Sequence, residues 1–169
     1  MKSKMGALVI GVALLIGGGG AALAHCQIPC GIYNDEARFT RMSEHVKTIA
    51  KSMRQIEALG KGAKANKNQL VRWVKNKETH ADELSEIVTY YFMTQRIKPV
   101  SKNKKAAYAK YVREVTLLHQ MLVTSMKAKQ STEQKHCAKL RRLIAEFKES
   151  YLAKKAAPAA KAKKSVGLR

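Results

Sequence analysis

Acidic residues, proline, cysteine and tryptophan are all scarce in this chain of 169 residues. Only 12 Asp and Glu stand against 33 Lys and Arg, a formal net charge of +21 that predicts attraction to anions, from polymers and lipid headgroups down to small ions. With three prolines, few β-branched residues and abundant Ala, Lys, Leu, Glu and Met, the chain favours helices over strands. Three cysteines are too few for a disulfide-stapled scaffold, and no Cys-x-x-Cys-His run offers covalent haem attachment. The length excludes a multi-domain enzyme, whereas 46% apolar residues supply a core and exclude wholesale disorder.

The longest apolar run lies at the start. Lys2 and Lys4 precede an apolar stretch from Ala7 to Ile16, and Ala22-Leu23-Ala24 supplies the small-x-small pattern of a signal-peptidase site. The run is shorter than the roughly 18 residues a membrane span needs, and four glycines from Gly17 to Gly20 weaken helix beyond it. Residues 1–24 therefore read as a cleaved signal peptide that leaves no stable membrane anchor behind. His25 rather than a small residue precedes Cys26, which argues against lipidation, and no twin-arginine pair is present. Cleavage after Ala24 removes two lysines and no acid, taking the charge from +21 to +19, and sends the mature chain to the periplasm or the exterior.

Residues 34–153 carry helical periodicity. Asn34 or Asp35 caps a first helix whose apolar stripe runs through Phe39, Met42, Val46, Ile49, Met53 and Ile56, and which Gly60 and Gly62 end. A second stripe holds Leu70, Val71, Val74, Leu84, Ile87, Val88, Tyr91 and Phe92 and stops before Pro99; a third holds Tyr108, Tyr111, Val112, Val115, Leu118, Leu122 and Met126. The fourth starts at Ser131, with Gln134 completing a capping box, and carries Cys137, Leu140, Ile144, Phe147 and Tyr151. Four amphipathic helices with short connections predict an all-α, antiparallel four-helix bundle. Residues 154–169, with six basic side chains and no acid, read as a basic disordered tail. Cys137 is expected as a buried thiol. His45, His80, His119 and His136 are scattered, with no pair at zinc spacing, and are expected at the surface or in packing roles.

The chemistry concentrates at the new N-terminus. Signal cleavage leaves His25 with a free α-amine, next to Cys26. A metal bridging that amine and the Cys26 amide nitrogen closes a five-membered ring, and the amide nitrogen with the Cys26 sulfur closes another. Pro29 turns the chain so that Cys30 supplies a second thiolate, and the His25 imidazole reaches an axial position. A planar set of two nitrogens and two sulfurs suits Cu(II) or Ni(II), whereas Zn(II) prefers a tetrahedron. With a pKa near about 8, the α-amine is available to a metal at neutral pH.

The segment His25-Cys26-x-x-Pro29-Cys30-Gly31-x-Tyr33, directly after a signal-cleavage site, resembles the nickel hook of the nickel superoxide dismutase family. The stretch from Arg72 to His80 and on through Tyr91 to Arg96 also looks like the second helix of one branch of that family. The resemblance implies a four-helix bundle that assembles as a homohexamer, with one nickel ion per chain. It implies His25, Cys26 and Cys30 as metal ligands, Tyr33 at the mouth of the hook screening small anions, and Pro29 and Gly31 shaping its turn. Gln27 stands where the family often has Asp, and Thr40 and Arg41 fall where a glutamate partners the axial imidazole. His80 falls where the family carries an arginine, which implies a place for it behind the metal ligands.

Superoxide dismutation needs a metal that alternately oxidises and reduces one substrate. Two thiolates and a deprotonated amide push electron density onto nickel and bring its Ni(III)/Ni(II) couple into range, so the implied activity converts superoxide to dioxygen and hydrogen peroxide. The alternative is an exported basic helical bundle that binds anionic polymers or membrane surfaces without catalysis. No aromatic-interleaved basic patch marks a specific nucleic-acid partner.

Overall fold

The computed structural model describes residue 29, residues 31–61 and residues 66–163, with side chains as far as residue 153. The chain divides into Met1–Cys30 and Gly31–Arg169, and the second unit holds the elements below. Helix α1 spans Asp35–Gly60, α2 Lys67–Glu86, a π-helical segment Ile87–Arg96, α3 Lys105–Gln130 and α4 Gln134–Lys163. No strand occurs among the described residues, and no described helix is long and apolar enough to cross a membrane.

Cross-helix contacts fix the direction of each element. Asn76 donates to Ser52 between α2 and α1, Ser125 donates to the Ala81 carbonyl between α3 and α2, and Gln134 donates to the Ala50 carbonyl between α4 and α1. Lys77 donates to the carbonyl of Ser131, past the end of α3, whereas Ser125, earlier in α3, meets Ala81, later in α2. Neighbouring helices therefore run antiparallel, and α4 closes back onto α1 to complete the four-helix bundle.

Local chemistry starts and stops the helices. Asn34 is the N-cap of α1, its side chain accepting from the Ala37 amide at 3.0 Å, so Asp35 is the first helical residue rather than the cap. Asn66 caps α2 in the same way through the Gln69 amide. The capping box expected over Ser131 and Gln134 does not form. Ser131 ends α3 in extended geometry, and Gln134 turns away to bond the Ala50 carbonyl, because satisfying a helix–helix contact competes with a local cap. Buried Lys77 instead caps the end of α3, donating to the Lys129 and Ser131 carbonyls where a helix C-terminus attracts a cation.

The core centres on Phe39, Phe92, Phe147 and Tyr151. Phe39 and Phe92 lie 5.0 Å apart between ring centroids, and Phe92 meets Phe147 edge-on at 5.0 Å. The stripes of α1 and α4 lie where the periodicity put them. On α3 the buried face is rotated by about one residue (roughly 100°) from the expected stripe: Glu114, Leu117, Leu118 and Met121 are buried, and Val112 and Met126 are exposed. Val71 on α2 is likewise 65% exposed. Ala81, Ser125 and Ala128 supply the close approach of α2 and α3, so small residues took positions that a count of large apolar side chains passes over. The last helix runs to Lys163 through an Ala- and Lys-rich stretch that includes Pro158.

Truncating Phe92→Ala should lower unfolding free energy by about 3–5 kcal/mol in a denaturant titration, whereas Val71→Ala should change it by less than about 0.5 kcal/mol.

Candidate functional site

Gly31 adopts φ +82°, a left-handed conformation open to glycine at little cost, and turns the chain toward α1. Two residues later Tyr33 is half exposed. Its ring packs edge-on against Tyr91 at 5.8 Å, with the Arg96 guanidinium 4.2 Å from its centroid on another side. Both contacts come from the π-helical segment. Five residues of α-helix would turn Tyr91 and Arg96 about 140° apart, but one π turn stacks them on one face. The wider turn is held by the Ile97 amide donating to the Phe92 carbonyl and by Gln95 and Thr94 side chains donating five residues back.

Asp35 sits where these groups converge. One carboxylate oxygen accepts from the Tyr91 hydroxyl at 2.7 Å and from Arg96 Nε at 3.0 Å. The other accepts from Arg96 Nη2 at 3.0 Å and from the Tyr151 hydroxyl at 3.1 Å. The bidentate Arg–carboxylate pair therefore joins the start of α1 to the end of the π segment, and Tyr151 brings in α4. Burial, then the Asp35 charge, pushes the Tyr151 phenol up to about 12. Burial and the hydrogen bond to Asp35 raise Tyr91 further, so both phenols remain donors.

A second constellation lies along α1 and α2. His45 Nδ1 and His80 Nδ1 are 2.8 Å apart, and Glu83 Oε2 stands 3.3 Å from the first and 3.2 Å from the second. Among the described residues these three form the one group of His, Cys, Asp and Glu side chains able to hold a metal ion. His45 is buried, and burial lowers its pKa against the opposing pull of Glu83. Its Nε2 is buried with no hydrogen-bond partner.

Of the residues singled out in the sequence, His25, Cys26 and Cys30 lie outside the described residues. Pro29 lies in a bend, and Gly31 in a turn. His80, expected at the surface, in packing or behind the metal ligands, lies against His45, and the ligands it would stand behind lie outside the described residues. That pairing was not visible because 35 residues separate the two, and only the antiparallel register of α1 and α2 brings them together. The Asp35–Arg96 pair was also missed. Helical periodicity places Tyr91 and Tyr151 in the core and offers Asp35 as an alternative cap to Asn34, while the five-residue spacing of Tyr91 and Arg96 falls outside it.

The sequence profile of the family described as nickel-containing superoxide dismutase matches residues 20–155, most of the chain. No curated protein and no solved structure matches it.

Replacing Asp35→Asn leaves the Arg96 guanidinium without its counter-charge and should cost about 3–5 kcal/mol of unfolding free energy. Tyr91 and Tyr151 hold their protons in the folded state above pH 10.0, where the unfolded chain releases them. Their contribution is therefore complete below pH 10.0 and is lost as the pH climbs through about 12. Urea titrations across that interval should show stability falling, less steeply in Tyr151→Phe.

Proposed function

The chain belongs to the nickel-containing superoxide dismutase family, and from that premise we propose that its metal centre is built by His25, Cys26 and Cys30 at a mature N-terminus created by cleavage after Ala24. The activity is superoxide dismutation and the cofactor is nickel. The observation that carries the site assignment is the run His25-Cys26-x-x-Pro29-Cys30-Gly31-x-Tyr33 placed directly behind a small-x-small cleavage pattern. The non-catalytic reading of the cationic bundle has no support of its own.

The donor set fits nickel by its chemistry. The His25 α-amine and the Cys26 amide supply two nitrogens, the Cys26 and Cys30 thiolates two sulfurs, and the His25 imidazole a further nitrogen. Bound nickel supplies one-electron chemistry, taking an electron from one superoxide to give dioxygen and returning one to a second to give, with protons, hydrogen peroxide. The chain does the rest. Cys26 gives up its amide proton and both cysteines their thiol protons, so that anionic donors face the ion. Tyr33 presents its hydroxyl to small anions, and its ring is held by Tyr91 and Arg96. The excess of Lys and Arg draws superoxide in, and such steering raises on-rates by roughly 10–10³.

Export to the periplasm or the exterior follows from the same cleavage, and places the protein where extracytoplasmic superoxide arises. We also assign a homohexamer. The family resemblance supports it, as do the uncovered apolar side chains Val71, Val74, Tyr90, Val112 and Met126 on the bundle's outside, which further copies of the chain would cover.

Placing one Ala before His25 in the mature protein displaces the amine from its ring and should abolish both nickel binding and dismutase activity, measured by metal analysis and superoxide decay. Retention of both would refute the site. For the unaltered enzyme, the rate should fall steeply as ionic strength rises, and a rate independent of salt would remove charge steering from the account.

A further inference from the structure

We propose that His45, His80 and Glu83 form a second metal site, which takes a divalent first-row transition ion such as zinc and clamps α1 to α2. Two imidazole nitrogens and one carboxylate oxygen are borderline donors of the kind that bind these ions, and they differ from the thiolate-rich set assigned to the N-terminus.

Geometry carries the first part of the argument. Zinc–ligand bonds of about 2.05 Å place neighbouring donors about 2.9 Å apart at right angles and about 3.3 Å apart at tetrahedral angles. The three edges here measure 2.8, 3.2 and 3.3 Å. An ion bonded to all three donors would stand roughly 1 Å out of their plane. Glu83 and His80 are partly exposed, with 46% and 28% of their side chains accessible, so water reaches the site to complete the coordination. The rings of His45 and His80 are inclined at 44° with centroids 5.1 Å apart, not stacked face to face.

Proton placement carries the second part. The carboxylate only accepts, and each Nδ1 either carries a proton or offers a lone pair. If both carry protons, two N–H groups oppose each other across the 2.8 Å edge. If one does, the other nitrogen's lone pair faces a carboxylate oxygen at 3.2 or 3.3 Å. If neither does, every edge joins two acceptors. One proton satisfies the 2.8 Å edge but leaves a nitrogen lone pair facing the carboxylate, whereas one cation bound to all three atoms engages every edge. Nδ1 ligation moves the ring proton of a neutral histidine to Nε2 and needs no net proton release. Glu83 supplies a negative charge that balances part of the ion's.

The site is tested on the mature, nickel-loaded full chain by isothermal titration with Zn(II), with nickel and zinc content measured afterwards. One zinc per chain should bind without loss of nickel and should raise the thermal unfolding midpoint, since a ligand that binds only the folded state stabilises it. Affinity should fall at least about tenfold in His80→Ala and in Glu83→Gln, whose positions are partly exposed and tolerate replacement. His45→Ala should abolish binding, with circular dichroism reporting that the helices persist. The same titration on Cys26→Ser/Cys30→Ser protein removes the thiolates of the hook and should still give one zinc per chain, so the result stands whether or not the hook assignment does. Absence of zinc binding in both forms, or affinity unchanged in His80→Ala and Glu83→Gln, would overturn the proposal.

Discussion

The carboxylate of Asp35 is removed from water at the first turn of α1, and Tyr91, Arg96 and Tyr151 all point donors at it. A buried charge of this kind is tolerable only when its partners are all in place. Its requirement therefore links three segments: the start of α1, the π-helical turn and the far part of α4. The π turn has its physical reason here, since it is the geometry that puts Tyr91 and Arg96 on one face. Tyr33, two residues before Asp35, rests on the same two side chains. The short stretch from Gly31 to the bundle is thus anchored by a fixed set of hydrogen bonds and ring contacts.

Much of the bundle was legible because burial follows helical spacing. Phe39, Met42, Val46, Ile49 and Met53 on α1, and Cys137, Leu140, Ile144 and Phe147 on α4, are all buried. Legibility failed where small or polar residues make the contact. Ala81, Ser125 and Ala128 bring α2 and α3 together, and their short side chains carry little hydrophobic signal, so the expected face of α3 was rotated. Buried Glu114 and Lys77 look like surface residues in any count of charge. The proposed hook rests on a different kind of signal: its donors are neighbours in sequence, so chelate-ring size follows from covalent connectivity alone. The His45–His80–Glu83 triangle has the opposite character. Its members come from two helices, and only the register between those helices defines it.

The surplus of basic residues acquires a consistent meaning in this setting. Among the described residues most Lys and Arg lie on the outer faces of the helices, where they solvate the bundle and bias the potential toward a small anionic substrate. The few that leave the surface do specific work: Arg96 balances Asp35, and Lys77 caps α3. The two proposed metal sites would divide the same way, with soft anionic donors at the terminus for a redox ion and harder nitrogen and oxygen donors between α1 and α2.

The central claim is that a terminal amine exposed by proteolysis becomes part of a nickel centre. Intact mass of the protein as purified from its native compartment, combined with metal analysis of the same sample, tests it most directly. The account predicts a polypeptide beginning at His25 and carrying one nickel ion per chain. A polypeptide beginning at any other residue yet carrying nickel and active would contradict it.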